Sequence, residues 1–353
     1  MKCYETKPEM RYDREQVWFP LSEDILSWDD NFHELMLNDN IRMKAYERAI
    51  KEAVKPGMTV VDIGTGTGIL AFWALEAGAR KVYGIDVNEK RIPQALERIA
   101  QLSYGHERFT VFNALSFDVT LPERVDVCIS EILGNLADNE DMTPILADAR
   151  QKFLKADGIM LPRKVTTSLV PVSSVKAYNH VKNVNCKTIN SAYRLDSLLK
   201  KLQTDNPFNM YYDCILPEST YVSKPNVVQE FKFDGTDRSV YSVKTTFDVT
   251  KDAAFTGFKG SFVAELSDSV TLDISGDDIE GRKTSDCWKH AYLPIETPID
   301  VKKGDRIELT YARSYPVNKD CAFGQNYSWN GNVMRDGKSI AEFSQKTGSV
   351  RLS

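Results

Sequence analysis

The chain has 353 residues, more than one compact domain usually holds, so we expect two domains. Hydrophobic residues make up 42% and charged residues 27%, proportions that exclude a largely disordered or fibrous protein. The formal net charge of -5 argues against a general nucleic-acid-binding protein, which needs a basic excess.

The sequence also argues against a membrane protein or a secreted one. No run of about 18 consecutive apolar residues occurs, so no membrane span is predicted. Residues 1–10 lack the apolar stretch of a secretion signal. The six cysteines are scattered without a close pair, which predicts reduced thiols and a cytoplasmic location rather than a disulfide framework or a zinc site.

Strand and helix patterns alternate up to about residue 160. In chain order the hydrophobic spacing predicts a helix over 42–54, a strand over 58–64, a helix over 69–78, a strand over 81–86, a helix over 89–101, strands over 109–114 and 125–131, and a helix over 143–158. This rhythm is typical of a parallel sheet with helices on both faces. We therefore predict an α/β domain of the nucleotide-binding type over 31–160, preceded by an N-terminal segment over 1–30.

The second half is rich in short strand patterns separated by Gly, Pro and Asp. In chain order they cover 165–172, 239–249, 255–266, 270–275 and 305–315. Such strands predict an antiparallel barrel or sandwich over 161–353. Residues 174–206 interrupt the series with a helical pattern and are predicted to form an arm.

A glycine loop follows the first predicted strand of the α/β domain. Gly64, Gly66 and Gly68 allow a sharp turn and a close approach of the backbone to a ligand. Asp86 ends the next strand, where a carboxylate can accept hydrogen bonds from ribose hydroxyls. Asp62 precedes the loop and would repel a phosphate, so the pattern favours S-adenosylmethionine over a dinucleotide. The alternative is a turn that only connects strand and helix.

Two glutamates frame the loop after the fourth predicted strand. Glu131 ends that strand, and Glu140 follows in an acidic loop. Without a histidine or a third acid nearby, the pair is a poor metal site. Two carboxylates are, however, suited to bind a planar guanidinium through its fixed fork of N–H donors. A solvated acidic loop is the alternative interpretation.

These motifs together resemble the core of the protein arginine methyltransferases. The similar segments are VVDIGTGTGIL, ARKVYGIDVNE, VDVCISEILGNLADNEDM and LKADGIMLPRK, over about residues 32–162, and more weakly CWKHAYLPIETPIDVKKGDRIEL. The resemblance implies a Rossmann-like methyltransferase domain, a β-barrel substrate domain, and a dimerisation arm that makes the protein a homodimer. It also implies methyl transfer from S-adenosylmethionine to an arginine guanidinium, whether free or in a small molecule, a peptide or a protein.

The resemblance also assigns roles to individual residues. The catalytic residues would be His33, Glu131 and Glu140, and the substrate-binding residues Glu131, Glu140 and Trp288. The cofactor-binding residues, including those of the glycine loop, would be Met36, Arg42, Asp62, Gly64, Thr65, Gly66, Gly68, Asp86, Leu115, Ser116, Glu131 and Met142. No residue is assigned to a metal.

Three departures from the family pattern concern function. The family's aromatic motif is absent before His33, Cys287 stands where the family has a histidine, and Ser116 stands where it usually has an acid. The first two fall on the substrate side and favour a small or specialised acceptor. Two other functions stay open: methyl transfer to a different amine or a hydroxyl, and a non-catalytic scaffold.

Overall fold

A computed structural model describes part of the chain. The described residues are 13–18, 20, 30–183, 204, 206–277, 285, 287–316 and 325–347, without the side chains of 30–33. None of the described helices combines the length and the apolar run that crossing a membrane requires.

The α/β half is a five-stranded parallel sheet. In chain order, the elements up to its end are β1 (Val17–Trp18), α1 (Asp30–Asn38), α2 (Asn40–Ala53), β2 (Thr59–Ile63), α3 (Ile69–Glu76), β3 (Lys81–Asp86), α4 (Ile92–Ile99), α5 (Gly105–Arg108), β4 (Phe109–Asn113), β5 (Val125–Ser130), α6 (Met142–Phe153) and β6 (Leu154–Leu161). The sheet order is β4-β3-β2-β5-β6, with every neighbouring pair parallel. Every residue of β2 is buried, as expected of a central strand covered on both faces.

One predicted helix is too long. The pattern over 143–158 predicts a helix ended by Gly158, whereas α6 ends at Phe153 and Gly158 lies inside β6. The pairing of Ile159 to Leu161 with β5 buries Met160 and Leu161. Because this burial depends on a strand distant in sequence, it overrides the local helical pattern.

The second half consists of two antiparallel sheets. Its elements are β7 (Lys164–Val172), α7 (Val175–Lys182), β8 (Tyr212–Cys214), β9 (Asn226–Phe231), β10 (Tyr241–Asp248), β11 (Ala253–Glu265), β12 (Thr271–Asp273), β13 (His290–Val301), β14 (Arg306–Ser314), β15 (Asn326–Arg335) and β16 (Lys338–Lys346). One sheet has the order β1-β8-β13-β11-β7-β9, with β12 beside β11, and the other has the order β10-β14-β15-β16. A single aromatic core that includes Phe258, Trp329 and Phe343 lies between them.

The predicted arm over 174–206 lies largely outside the described residues. Its beginning is α7, where the Ser174 hydroxyl accepts a hydrogen bond from the Ala177 amide as an N-cap. Residues 184–203 and 205 are not described, so the arm stays a prediction.

The loop between β5 and α6 joins the two halves. Thr167 of β7 donates a hydrogen bond to the Leu136 carbonyl over 3.1 Å. The hydroxyls of Tyr241 and Tyr327 donate to the Asp138 carboxylate over 2.9 and 2.6 Å. The loop that carries Glu140 is therefore held by both antiparallel sheets.

Candidate active site

A cavity of about 330 Å³ lies at the carboxyl ends of the parallel strands. Strands of this type open their carboxyl ends into the ligand crevice of an α/β domain. The predicted site residues that line the cavity are Met36, Arg42, Gly64, Thr65, Gly66, Asp86, Leu115, Ser116, Glu131, Glu140 and Trp288. The structure thus brings together most of the residues predicted for cofactor and substrate.

Asp86 connects the glycine loop to the end of β3. Its Oδ2 accepts a hydrogen bond from the Gly66 amide over 2.7 Å, and its Oδ1 accepts one from the Asn88 amide over 2.8 Å. Burial raises the pKa of this carboxyl above its usual value. Gly64 and Gly66 have positive φ angles of 72° and 52°, which glycine adopts without strain.

Two predicted residues of this region lie behind the loop instead of on the cavity wall. Asp62 is fully buried, and its carboxylate accepts a 2.7 Å hydrogen bond from the Thr65 hydroxyl. Burial, reinforced by the charge of Asp86, raises the pKa of Asp62 to about 7. Gly68 is the N-cap of α3, where an added Cβ would lie 3.0 Å from the Ala95 Cα. Both residues support the loop, and neither lines the cavity.

One further predicted residue differs from expectation, and a second lies outside the described side chains. Met142 is the first residue of α6, is completely buried in the core and is not among the residues that line the cavity. Ile145, one turn later on the same helix, lines the cavity instead. His33 lies in α1, and its side chain is outside the described part of the structure.

Arg42 and Glu131 form a buried ion pair on the cavity wall. The Nε of Arg42 donates to Glu131 Oε2 over 2.7 Å, and its Nη2 donates to the same oxygen. Its Nη1 donates to the Met36 carbonyl over 3.0 Å, and the guanidinium lies 5.8 Å from the ring centre of Trp288. Burial lowers the pKa of Arg42, but the charge of Glu131, with the smaller effects of Cys287, of the hydrogen bonds to Glu131 and of Tyr46, outweighs burial and raises the pKa. The wall at Glu131 is therefore able to bind a guanidinium.

Glu140 has a different environment. Among the residues that the structure describes, no group donates a hydrogen bond to its carboxylate, although it lines the same cavity as Glu131. Burial and the negative charges of Glu131 and Asp213 raise its pKa to about 8, against a smaller opposing effect of Arg42. A partly buried carboxylate without a donor is costly, so this site is suited to a cationic ligand that supplies donors.

Comparisons with known proteins agree with this geometry. A family model described as ribosomal protein L11 methyltransferase (PrmA) matches residues 43–161, and one described as the PRMT5 oligomerisation domain matches residues 164–330. Protein arginine N-methyltransferase PRMT10 of Oryza sativa subsp. japonica is 26% identical over 304 residues, covering 78% of each chain. Protein arginine N-methyltransferase 6 of Xenopus laevis is 25% identical over 354 residues, covering 95% of this chain and 98% of that protein.

The structural comparison covers both halves of the chain. The crystal structure of Arabidopsis thaliana protein arginine methyltransferase 10 matches with a TM-score of 0.75 at 22% identity, covering 92% of this chain and 99% of that one. The chain is thus similar to protein arginine N-methyltransferases over both of its halves. The protein is an enzyme, an S-adenosylmethionine-dependent methyltransferase, and its fold matches that of proteins with a Rossmann-like domain followed by a β-barrel domain.

Asp39 is a site residue that the sequence analysis missed. Its Oδ1 caps α2 by accepting hydrogen bonds from the amides of Ile41 and Arg42. Its Oδ2 accepts hydrogen bonds from the thiol and the amide of Cys287 over 3.1 and 3.2 Å, and another from the Ser285 hydroxyl. Asp39 before a helical pattern is an N-cap signal that was available in the sequence. Its contact with Cys287 had no local signal.

The Cys287 thiol occupies the position at which the resemblance predicts a histidine. Burial, reinforced by the nearby charge of Asp39, raises the pKa of Cys287 well above its usual value. The thiol therefore stays protonated and donates to Asp39 instead of carrying a proton through a relay. Trp288, the next residue, donates through its indole N–H to the Leu133 carbonyl and packs edge-on against Phe262.

Asp213 is a second residue that the sequence analysis missed. It lies on β8 of the second half, is 3% exposed, and lines the cavity together with Asn135. The Asn135 side-chain amide donates to its Oδ1 over 2.8 Å. Nothing in the local pattern around residue 213 marks it as a site residue, because its partner lies in the other half of the chain.

Proposed function

We propose that this protein methylates a nitrogen of an arginine guanidinium, with S-adenosylmethionine as the methyl donor. The observation that carries the proposal is Glu140, which lines the cavity beside Glu131 and has no donor among the described residues. A guanidinium supplies both the positive charge and the N–H groups that this carboxylate needs. The names of the related proteins support the same acceptor chemistry.

The residues at the other end of the cavity suit the cofactor. Asp86 at the end of β3 is placed for the ribose hydroxyls, and Leu115 and Ser116 line the wall beside it, where the adenine is expected. Arg42, one of the two arginines among the described lining residues, suits the amino-acid carboxylate of the cofactor. When bound, the cofactor supplies a methyl group on a positively charged sulfur.

The two glutamates would bind and orient the acceptor. Each charge-assisted hydrogen bond to a guanidinium contributes roughly 1.5–3 kcal/mol. Carboxylates on two of its nitrogens concentrate the positive charge there, which leaves the third nitrogen better able to attack in line. After methyl transfer that nitrogen must lose a proton, and the raised pKa suits Glu140 to accept it.

The decisive experiment measures methyl transfer from labelled cofactor to a panel of acceptors. The panel contains free arginine, agmatine, arginine-rich peptides, an arginine-rich protein, and amines and alcohols without a guanidinium; mass spectrometry identifies the products. We expect methylated guanidinium products, and we expect Glu140→Gln to lower kcat by at least about 100-fold, as loss of a catalytic acid–base group does, while cofactor affinity is retained.

Other outcomes would favour the open alternatives. Turnover of amines or alcohols that is insensitive to Glu140→Gln would replace the arginine proposal with a different acceptor. Failure of the wild-type chain to bind the cofactor in calorimetry would favour a scaffold. The preferred member of the guanidinium panel would also decide whether the acceptor is small, as the departures around Cys287 suggest, or a protein.

We further propose that the protein is a cytoplasmic homodimer joined through the arm over 174–206. The description of the family model over 164–330 as an oligomerisation domain supports assembly, and the scattered cysteines support a reducing compartment. Light scattering of the full chain and of a variant with 184–203 replaced by a short linker tests the interface. A dimer that persists in the variant would contradict the role of the arm, and fractionation of expressing cells tests the location.

A further inference from the structure

The barrel half contributes a third carboxylate to the acceptor end of the cavity. Asp213 of β8 lines the cavity with Glu131 and Glu140, although it comes from a different domain. The Asn135 amide, from the loop that also carries Glu140, fixes its Oδ1 at 2.8 Å. Asn135 in turn accepts a 3.1 Å hydrogen bond from the Asn139 side chain, so the carboxylate is tied to the glutamate loop.

The charges of the lining residues show what this carboxylate adds. Among the described residues, four carboxylates and two guanidiniums line the cavity, namely Asp86, Glu131, Glu140, Asp213, Arg42 and Arg91. Fully ionised, they carry two more negative than positive charges. S-adenosylmethionine has one net positive charge, and a guanidinium has one more. The formal charges of these described lining residues and of the two ligands therefore sum to zero only when the charge of Asp213 is included.

The balance matters because Asp213 lies in a buried part of the cavity wall. An uncompensated charge in a site of low dielectric constant is costly, and a nearby opposite charge offsets that cost. Asp213 is 3% exposed, and its charge is felt at Glu140, where it opposes ionisation in the absence of a cation. A cationic acceptor relieves this repulsion, whereas a neutral one of the same shape leaves it in place.

We propose that Asp213 is a specificity-determining residue that restricts the acceptor to a fully charged guanidinium and rejects neutral isosteres. The inference rests on the proposed function, and it deepens that function by adding a charge requirement set by the barrel domain. Neutral urea analogues, such as citrulline in the place of arginine, have nearly the same shape without the charge. Discrimination between arginine and citrulline is therefore the property that Asp213 controls.

The test compares Asp213→Asn with the wild-type chain. Binding of an arginine peptide and of its citrulline counterpart is measured by calorimetry in the presence of a non-reactive cofactor analogue that keeps the positive charge of the sulfonium, and kcat and KM are measured for the arginine peptide. We expect Asp213→Asn to weaken arginine binding about tenfold, because one compensating charge is lost, and to leave citrulline binding unchanged or stronger. KM should rise more than kcat falls, since binding is the affected step.

Two further variants keep the test independent of folding. Asp300→Asn removes the same charge from an exposed position of β13 outside the cavity lining. This variant should leave the ratio of the affinities for the arginine and citrulline peptides (the arginine-to-citrulline ratio) unchanged. Asn135→Ala releases Asp213 without removing its charge and should lower the ratio by a smaller factor. Thermal unfolding and cofactor affinity verify that each variant is folded.

The outcomes separate this inference from the proposed function. A wild-type chain that methylates no guanidinium overturns the proposed function and this inference with it. A wild-type chain that methylates arginine, together with an Asp213→Asn variant of unchanged arginine-to-citrulline ratio, overturns only the inference. Equal losses in Asp213→Asn and Asp300→Asn would assign the effect to overall charge and would also overturn it.

Discussion

Arg313 and Asp141 are joined by a hydrogen bond of 2.7 Å that links β14 to the residue after Glu140. The Arg313 side chain is completely buried, and its Nη2 also donates to the Asp138 carbonyl over 3.3 Å. Asp138 and Asp141 stand on either side of the short segment that carries Glu140. The barrel domain therefore holds the glutamate loop from both ends, and Arg313 acts as a positioning residue for Glu140.

Replacing Arg313 with methionine should impair both stability and methyl transfer. Asp138 would be left buried without its cation, which typically costs about 3–5 kcal/mol in the free energy of unfolding. We expect kcat to fall by about tenfold or more while cofactor affinity changes little, because the loop and not the cofactor end is displaced. Chemical denaturation and steady-state kinetics measure the two effects.

The control is a second arginine–aspartate pair on the barrel. Arg335 binds Asp305 over 2.7 Å, but 31% of the arginine side chain is exposed. Because the Asp305 side chain is itself only 4% exposed, Arg335→Met should also lower stability, but this pair lies outside the cavity lining, so kcat should be spared. Equal effects of Arg313→Met and Arg335→Met on kcat would contradict a positioning role.

The ion pair between Arg42 and Glu131 should be strongly coupled. Arg42→Met leaves a buried carboxylate, and Glu131→Gln leaves a buried guanidinium, so each single change should cost about 3 kcal/mol of stability. The double variant removes both charges and should cost clearly less than the sum of the two. Urea denaturation of the four proteins in this cycle measures the coupling energy. Additive losses would show that the pair does not form in solution.

Glu140 should make the protein less stable as the pH rises. Its pKa is raised from 4.5 to about 8 in the folded chain, so the folded state binds more protons than the unfolded state between these values. This contribution to stability is fully present below pH 4.5 and is lost as the pH rises through about 8. Each pKa unit corresponds to about 1.4 kcal/mol. Glu140→Gln should therefore flatten the fall in melting temperature between pH 5 and pH 8.

Asp62 provides the comparison for this pH dependence. Its pKa is raised to about 7, mainly by burial. Ionisation of Asp62 therefore also lowers the stability of the folded chain as the pH rises, but this loss is complete at a lower pH than the loss due to Glu140. In a plot of melting temperature against pH, Asp62→Asn should flatten only the part below about pH 7, and Glu140→Gln should also flatten the part above pH 7. A Glu140→Gln profile that is identical to the wild-type profile would show that Glu140 ionises normally.

Cys287 should be unreactive toward thiol reagents at neutral pH. Burial and Asp39 raise its pKa, so almost no thiolate is present. We expect maleimide to label Cys287 at pH 7.5 only after unfolding, as mass spectrometry of modified peptides would show. Cys287→Ser keeps a donor to Asp39 and should retain activity within about threefold, whereas Cys287→Val loses a hydrogen bond worth about 1 kcal/mol. Rapid labelling of the native thiol would contradict this assignment.

Short-range patterns were sufficient to predict where the glycine loop and Asp86 lie. The glycine loop and Asp86 are placed by the ends of two adjacent parallel strands, and strand ends follow from hydrophobic spacing within a few residues. Glu131 follows the same rule because β5 ends at Ser130. The boundary between α6 and β6 could not be predicted in this way, since pairing with β5 decides it.

By itself, the sequence determined the alternating α/β domain, the β-rich second half, the glycine loop and the pair of glutamates. Only the tertiary structure decided which charges meet: Arg42 with Glu131 across 89 positions, Asn135 with Asp213 across 78, and Asp39 with Cys287 across 248. The tertiary structure also placed the Met142 side chain in the hydrophobic core. The physical reason is that spacing along a helix or strand fixes which face of an element is apolar. Contacts between distant elements depend on how those faces pack together.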